Sequence, residues 1–292
     1  MKQEGIISDS ALLQRCTGDV RLDAAGLFSE AVYLRDAENG VLVLHDGRYG
    51  ALPFGIALKD WPVVDKQAVS SLKDVASLEN GVLRIPALHW EIRLRFQAVQ
   101  KQYQTPTPES KRELEACILE TLQAIGKSEL YFYAEAWPGL PEKARFSDAF
   151  ASAGYPGIEL LWKVLPAAEE SVLREALYRL LGLGRGLTPS FDDFIVGLVY
   201  TLRNLDLPQH REQVTRLTNV VLEMAESRTN VFSAAYLKAA CGKGRFSLLD
   251  DCLYAVDPQT RQAAVEQLSA VGGSSGSDML AGMLSALKLS RE

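Results

Sequence analysis

The sequence predicts an α+β protein, with a small antiparallel β sheet or partial barrel in its N-terminal part and a larger helical domain after it. Three observations predict this. Short apolar runs separated by hairpin dipeptides fill residues 26–100, a segment with two prolines follows, and beyond it apolar residues recur every three or four positions.

In the first part, Gly26 to Arg35, Val41 to His45, Arg48 to Leu58, Val82 to Leu88 and Glu91 to Phe96 have the short or alternating apolar character of strands. Asn39-Gly40, Asp46-Gly47 and Asn80-Gly81 tolerate the positive φ angles of tight turns. Pro53, Pro62 and Pro86 suit edge strands or strand ends, because proline has no ladder donor. In Thr105-Pro106-Thr107-Pro108-Glu109 two prolines oppose the continuation of either element, which marks a linker. The division expected is a β-rich domain over 1–104 and a mainly α-helical domain over 105–292.

Helices are expected over Ser110–Ile125, Ala167–Leu181, Phe191–Leu205, Gln209–Glu226, Val231–Cys241, Pro258–Val271 and Met279–Leu289. The aromatic run Tyr131-Phe132-Tyr133 with Trp137 reads as core.

Composition narrows the function. The chain has 292 residues, 47% hydrophobic and 23% charged, the balance of a folded globular protein. A net charge of −6 argues against nucleic acid or an anionic membrane as partner. No apolar run is long enough to span a bilayer and the first residues lack the apolar core of a signal peptide, so a cytoplasmic protein is expected. Cys16, Cys117, Cys241 and Cys252 form no C-x-x-C pair, and His45, His89 and His210 have no ligand-like partner one helical turn away.

An internal echo carries most of the functional information. Ser190-Phe191-Asp192-Asp193-Phe194-Ile195-Val196-Gly197-Leu198 aligns without gaps on Ser275-Gly276-Ser277-Asp278-Met279-Leu280-Ala281-Gly282-Met283. Each copy reads Ser-x-x-Asp, three apolar residues, Gly and an apolar residue. Ser-x-x-Asp before an apolar run predicts a capping box, with Ser190 and Ser275 as N-caps and Asp193 and Asp278 reaching back. Gly197 and Gly282 predict a close approach of another helix.

Capping does not require the glycines before each copy. Gly182, Gly184 and Gly186 allow the backbone to turn successive N–H groups toward one point, and the following helix start adds partial positive charge. Gly184, Arg185, Gly186, Thr188 and Ser190 are therefore candidate phosphate-binding residues, joined from the second copy by Ser274 and Ser275. Tight packing of the loops is the alternative. A carboxylate beside an anion is repulsive unless a cation intervenes, so Asp192, with Asp193, is a candidate for holding a hydrated Mg²⁺; a solvated helix-start aspartate is the alternative. A third polar cluster, Glu226 to Ser233, offers Arg228 and Asn230 for a carboxylate or amide, while Thr229 and Asn230 also suit an N-cap.

Gly182-Leu183-Gly184-Arg185-Gly186-Leu187-Thr188-Pro189-Ser190-Phe191-Asp192-Asp193 resembles the signature of the AllH family, and Thr229-Asn230 and the Gly273-to-Gly282 segment resemble two further family blocks. The resemblance implies a subunit of an oxamate carbamoyltransferase that works in allantoin degradation with AllF-like and AllG-like subunits. That reaction converts oxalurate, a ureido acid, and phosphate into oxamate and carbamoyl phosphate. On this basis Arg185, Asp192 and Asn230 are candidate catalytic residues, and Ser274, Ser275 and Asn230 would hold the second anion or the carbonyl. The family form usually has Gly where this chain has Phe191. A phenyl group there is expected either to narrow the approach to the helix start or to stack on a planar ureido group.

Overall fold

The computed structural model describes residues 2–8, 10–16, 18–62, 73–97, 103–165 and 169–291. The chain divides into two compact units. The first is Met1–Gln102 with Gly244–Ser247, and the second is Tyr103–Lys243 with Leu248–Glu292.

The strands of the first unit are β1 (Lys2–Ile7), β2 (Val20–Leu27), β3 (Ala31–Arg35), β4 (Val41–His45), β5 (Gly55–Leu58), β6 (Ala76–Glu79), β7 (Val82–Ile85) and β8 (Trp90–Phe96), with α1 (Ser10–Arg15) after β1. Among the described residues these eight strands form a closed barrel in the order β1-β5-β4-β3-β2-β6-β7-β8. The expected small antiparallel sheet or partial barrel is thus corrected. The reason is β1, which has no strand-like pattern in the sequence. It pairs antiparallel with β5 and parallel with β8, Lys2 opposite Glu91 through Ile7 opposite Phe96, and so joins the two open sides. β4 and β5 also run parallel.

Alternate side chains of each strand fill the interior, Leu22 and Ala24, Val32 and Leu34, Leu42 and Leu44, Ile56 and Leu58, with Ile7, Leu83, Ile85 and Ile92. Gly5 occupies an inward position of β1 because its neighbours take the space. A Cβ there would lie 2.6 Å from Ile56 Cγ2 and 2.8 Å from Ile92 Cγ2. The turn between β6 and β7 consists of Asn80 (φ 50°) and Gly81 (φ 73°), the two positive angles of a type I′ hairpin. Pro53 and Pro86 lie just outside β5 and β7, so neither removes a ladder bond. His45 is buried, accepts a bond from the Gly47 N–H through Nδ1, and is pushed down to about 4 by burial, which keeps it neutral.

The second unit is helical: α2 (Pro108–Ile125), α3 (Tyr131–Ala136), α4 (Ala149–Ala153), α5 (Tyr155–Val164), α6 (Glu170–Leu180), α7 (Ser190–Leu205), α8 (Arg211–Arg228), α9 (Val231–Cys241), α10 (Ser247–Tyr254, whose first residue counts with the barrel), α11 (Pro258–Ser269) and α12 (Ser275–Leu289). Ala167, the expected start of one helix, lies outside the described residues. Local chemistry sets several ends. Thr107 caps α2 through the Ser110 N–H and Gly126 ends it at φ 63°, while Asp257 caps α11 ahead of Pro258.

α7 and α12 are the centre of this unit. Every residue from Phe191 to Leu202 and from Gly276 to Leu287 is buried, so both helices are enclosed on all sides. They pack on each other, with α8 and α9 also against α7, and α2, α3 and α11 against α12. Among the described residues no helix is long and apolar enough to cross a membrane.

Candidate functional site

The two copies of the sequence echo are the starts of α7 and α12, and the helices cross with reciprocal contacts. A Cβ at Gly197 would lie 2.0 Å from the Met279 carbonyl oxygen, and one at Gly282 would lie 1.9 Å from that of Phe194. Phe194 and Met279 are equivalent positions of the echo, as are the two glycines. The backbones touch where glycine permits it.

Neither helix start is a capping box. Pro189 and Ser274 stand at the N-cap positions, and neither makes a side-chain cap bond. Ser190 and Ser275 are the first helical residues instead. Their hydroxyls turn across the crossing, Ser275 toward Asp193 and Ser190 toward Asp278, where each helps to stabilise a carboxylate charge. The serine of each copy thus serves the aspartate of the other.

Asp193 and Asp278 are wholly buried. Asp193 Oδ2 accepts from Thr188 Oγ1 at 2.9 Å, and Thr188 Oγ1 lies 3.0 Å from Ser275 Oγ. Asp278 Oδ1 accepts from Ser128, while Ser190 and Ser274 approach the same carboxylate without a well-aligned bond to Oδ2. Asp193 Oδ1 and Asp278 Oδ2 have no hydrogen-bond partner among the described residues. Burial, then the charge of Asp278, push the Asp193 carboxyl well above the usual carboxylate range. Burial pushes Asp278 up to about 7.

The loop from α6 to α7 takes positive φ at Gly182 (81°), Gly184 (138°) and Gly186 (89°). A Cβ on Gly184 would lie 2.2 Å from the Ser190 nitrogen, so any other residue there would block the turn. The loop is closed by the Leu183 N–H donating to Leu180 and the Phe191 N–H donating to Leu183, both at 3.0 Å. Among the described residues, the N–H groups of Gly184, Arg185, Gly186, Leu187, Thr188 and Ser190 donate to no protein acceptor. Arg185 is exposed, with its guanidinium 5.3 Å from the Phe150 ring centre and 4.0 Å from Asp148 Oδ2.

Asp192 points away from this group. Its Oδ1 accepts from the Gly182 N–H at 2.8 Å, and its Oδ2 accepts from Ser233 Oγ at 2.6 Å and from Thr229. It ties the start of the glycine loop to the α8–α9 junction. Asn230 does the same for the loop's middle. Its Oδ1 caps α9 through the Phe232 and Ser233 N–H groups, and its Nδ2 donates to the Leu187 carbonyl at 2.8 Å. Arg228, a candidate for a carboxylate or amide, instead lies 3.8 Å over the Tyr178 ring and donates to the Tyr178 carbonyl.

Thr188, Ser190, Ser274 and Ser275 therefore come together, with Gly184 against Ser190, whereas Asp192 and Asn230 serve as ties. Asp192 and Asp193 do not present a common set of ligand oxygens. The first is occupied by three donors and the second faces Asp278, so the pair does not fit a shared Mg²⁺. Phe191 is fully buried, with its ring against Gly154 and near Tyr133 and Phe194, so it neither narrows the loop nor offers a stacking face. The sequence reading missed Ser128 and Asp148, and it gave Ser233, the last residue of the third polar cluster, no role of its own. Asp278 was visible only as an expected cap.

Residues 180–287 match the family model described as oxamate carbamoyltransferase subunit AllH. This part of the chain is similar to the AllH family. It covers a little over a third of the sequence and runs from the last residue of α6 into α12, so the AllH match contains both helix starts, the glycine loop and the Asp193–Asp278 pair. Ser128 and Asp148, which complete the surroundings of that pair, lie before it. No solved structure matches the chain.

Proposed function

We propose that this chain is the AllH-type subunit of a carbamoyltransferase assembly and that its glycine loop binds a small oxyanion, phosphate or carbamoyl phosphate, for that reaction. One observation carries the reading. The amides of residues 184–188 and 190, without acceptors of their own, adjoin the Thr188–Ser275 contact of the two helix starts inside the AllH-matched segment. Free amides, helix-start partial charge and hydroxyls are the donors a phosphate needs, and Arg185 adds a full charge at the exposed rim.

The chemistry suits such a site. Phosphorolysis of a ureido acid such as oxalurate needs no protein nucleophile, because phosphate attacks the ureido carbonyl. The protein's work is to orient the two anions and stabilise the oxyanion that develops. In this reading Gly184, Arg185, Gly186, Thr188 and Ser190 hold the phosphate, and Ser274 and Ser275 face the second anion. Asp192 and Asn230 hold the loop in shape rather than touch substrate. AllF-like and AllG-like subunits supply the rest of the site.

The test is to mix the purified chain with those two subunits and measure carbamoyl phosphate formed from oxalurate and phosphate. Arg185→Ala is expected to lower turnover at least tenfold, the effect of losing one charged contact of about 1.5–3 kcal/mol. Unchanged turnover would remove the loop from the chemistry. A scaffold role is the second reading, favoured by the glycine crossing, which gives both motifs a packing purpose. In that case Gly197→Leu breaks assembly and Arg185→Ala has no effect on turnover.

A further inference from the structure

We infer that a small oxyanion entering the Gly184–Ser190 loop draws one proton onto Asp193, which frees the hydroxyl hydrogen of Thr188 for the guest. The inference rests on the proposed anion-binding reading of the loop and adds to it a proton taken up with the guest.

A threonine or serine hydroxyl has a single hydrogen to donate. While Asp193 is ionised, the Thr188 hydrogen is spent on its Oδ2 at 2.9 Å, and the Ser275 hydrogen is held in the same chain, 3.0 Å from Thr188 Oγ1. Both half-buried hydroxyls then present only lone pairs to the loop, which repel an anion. If Asp193 takes up a proton from solvent on Oδ2, an O–H bond forms there and the hydrogen bond reverses. The acid donates to Thr188 Oγ1, and the hydrogen of Thr188 is released to point at the guest. No other bond is made or broken.

The surroundings favour a proton at this place. Asp193 Oδ1 and Asp278 Oδ2 are buried carboxylate oxygens without a well-aligned donor among the described residues, a costly arrangement if both groups are charged. The charges that act on the pair add to the difficulty. Asp192 on α7 acts on Asp193 and Asp148 at the start of α4 acts on Asp278, both unfavourably. Arg185 from the loop is taken up with Asp148, and Glu129 accepts from the Ser147 and Asp148 N–H groups. On the other helices packed here the charges are engaged elsewhere. Lys288 donates to the Glu135 carbonyl, Arg291 pairs with Glu115, Arg261 with Glu113, and Lys238 with Glu226. Glu135 pairs with Arg145, and Tyr133 donates to the Ala151 carbonyl. Lys288 is about 15 Å along α12 from Asp278 at 1.5 Å per residue.

Sulfate tests this, since it does not itself titrate near neutrality. Calorimetry of the full chain with sulfate, in two buffers of different ionisation enthalpy, reads the protons exchanged. We expect proton uptake with sulfate, approaching one per sulfate bound, and affinity that falls between pH 6 and pH 8 by at most about tenfold per pH unit. Asp193→Asn and Thr188→Val should still bind sulfate through the loop amides, with neither uptake nor pH dependence. Sulfate bound equally at pH 6 and pH 8 without proton exchange would overturn the inference and leave the loop reading standing. So would uptake that persists in Thr188→Val. Absence of sulfate binding even at pH 6 would sink the loop reading itself.

Discussion

Gly197 faces the Met279 carbonyl so closely that a methyl group on its Cα would lie 2.0 Å from that oxygen. The obstacle is the backbone of a buried helix, which has no rotamer with which to move aside. Gly197→Ala is therefore expected to destabilise the protein by about 2–3 kcal/mol, since overpacking outweighs the roughly 1 kcal/mol that alanine gains as a helix former. Gly282→Ala should behave alike. Gly273→Ala, where an added Cβ meets nothing within 4 Å, should leave stability unchanged. Urea unfolding of the three variants checks this.

Asp278 gives stability a pH dependence opposite to that of an ordinary salt-bridged carboxylate. Its folded carboxyl is pushed up to about 7, while an unfolded aspartate titrates near 4. Between these values the folded state holds a proton that the unfolded chain has lost. The contribution is full below about pH 4 and is lost as pH rises through about 7, by at most about 1.4 kcal/mol per pH unit. Asp278→Asn should flatten the melting temperature between pH 4 and pH 7 and raise it at pH 8 relative to the parent. A steeper fall in the variant would contradict the assignment.

Asp192→Ala would leave the Gly182 N–H and the hydroxyls of Thr229 and Ser233 without their acceptor. Ser233 is buried, whereas Thr229 is half-buried and Gly182 exposed, and one stranded buried donor costs roughly 1–3 kcal/mol, so a loss of about 2 kcal/mol is expected. The more telling measurement is amide exchange, which should accelerate from Gly182 to Ser190 more than in α2. Asp192→Asn keeps one acceptor oxygen and should fall between the two.

Asn230 acts at both of its amide ends. Asn230→Ala is expected to cost about 1 kcal/mol for the lost cap and a further amount of about 1 kcal/mol for the Leu187 tie. Asn230→Asp restores the cap but sets a carboxylate oxygen against the Leu187 carbonyl, so it should recover only part of the loss in denaturant unfolding.

Much of the helical unit was legible because its signals are local. Val231–Cys241 was read with the observed limits, and Pro258 marked the start of α11. The echo around Ser190 and Ser275 was legible too, and so was close helix approach at Gly197 and Gly282. Its chemistry was misread. Ser-x-x-Asp fits a capping box within one helix, yet here the same groups bond across two helices, and nothing in a nine-residue pattern separates the cases. Phe191 shows the same limit, since its burial depends on Gly154, far away in sequence. Ser128 had no signal at all.

In the barrel the difficulty was distance along the chain. Lys2-Gln3-Glu4-Gly5 shows no alternation, because the inward residue Gly5 gives its space to Ile56 and Ile92. A strand defined by what surrounds it cannot be recognised from its own residues.

That first strand also sets an order of assembly. Its partners, β5 and β8, come halfway along and at the end of the barrel's chain, so closing the ring joins distant segments and is expected to be slower than forming the hairpins between them. Until then two bare strand borders remain open to neighbouring molecules. A change that weakens β1 should therefore appear first as a poor yield of folded chain, well before it alters the finished protein.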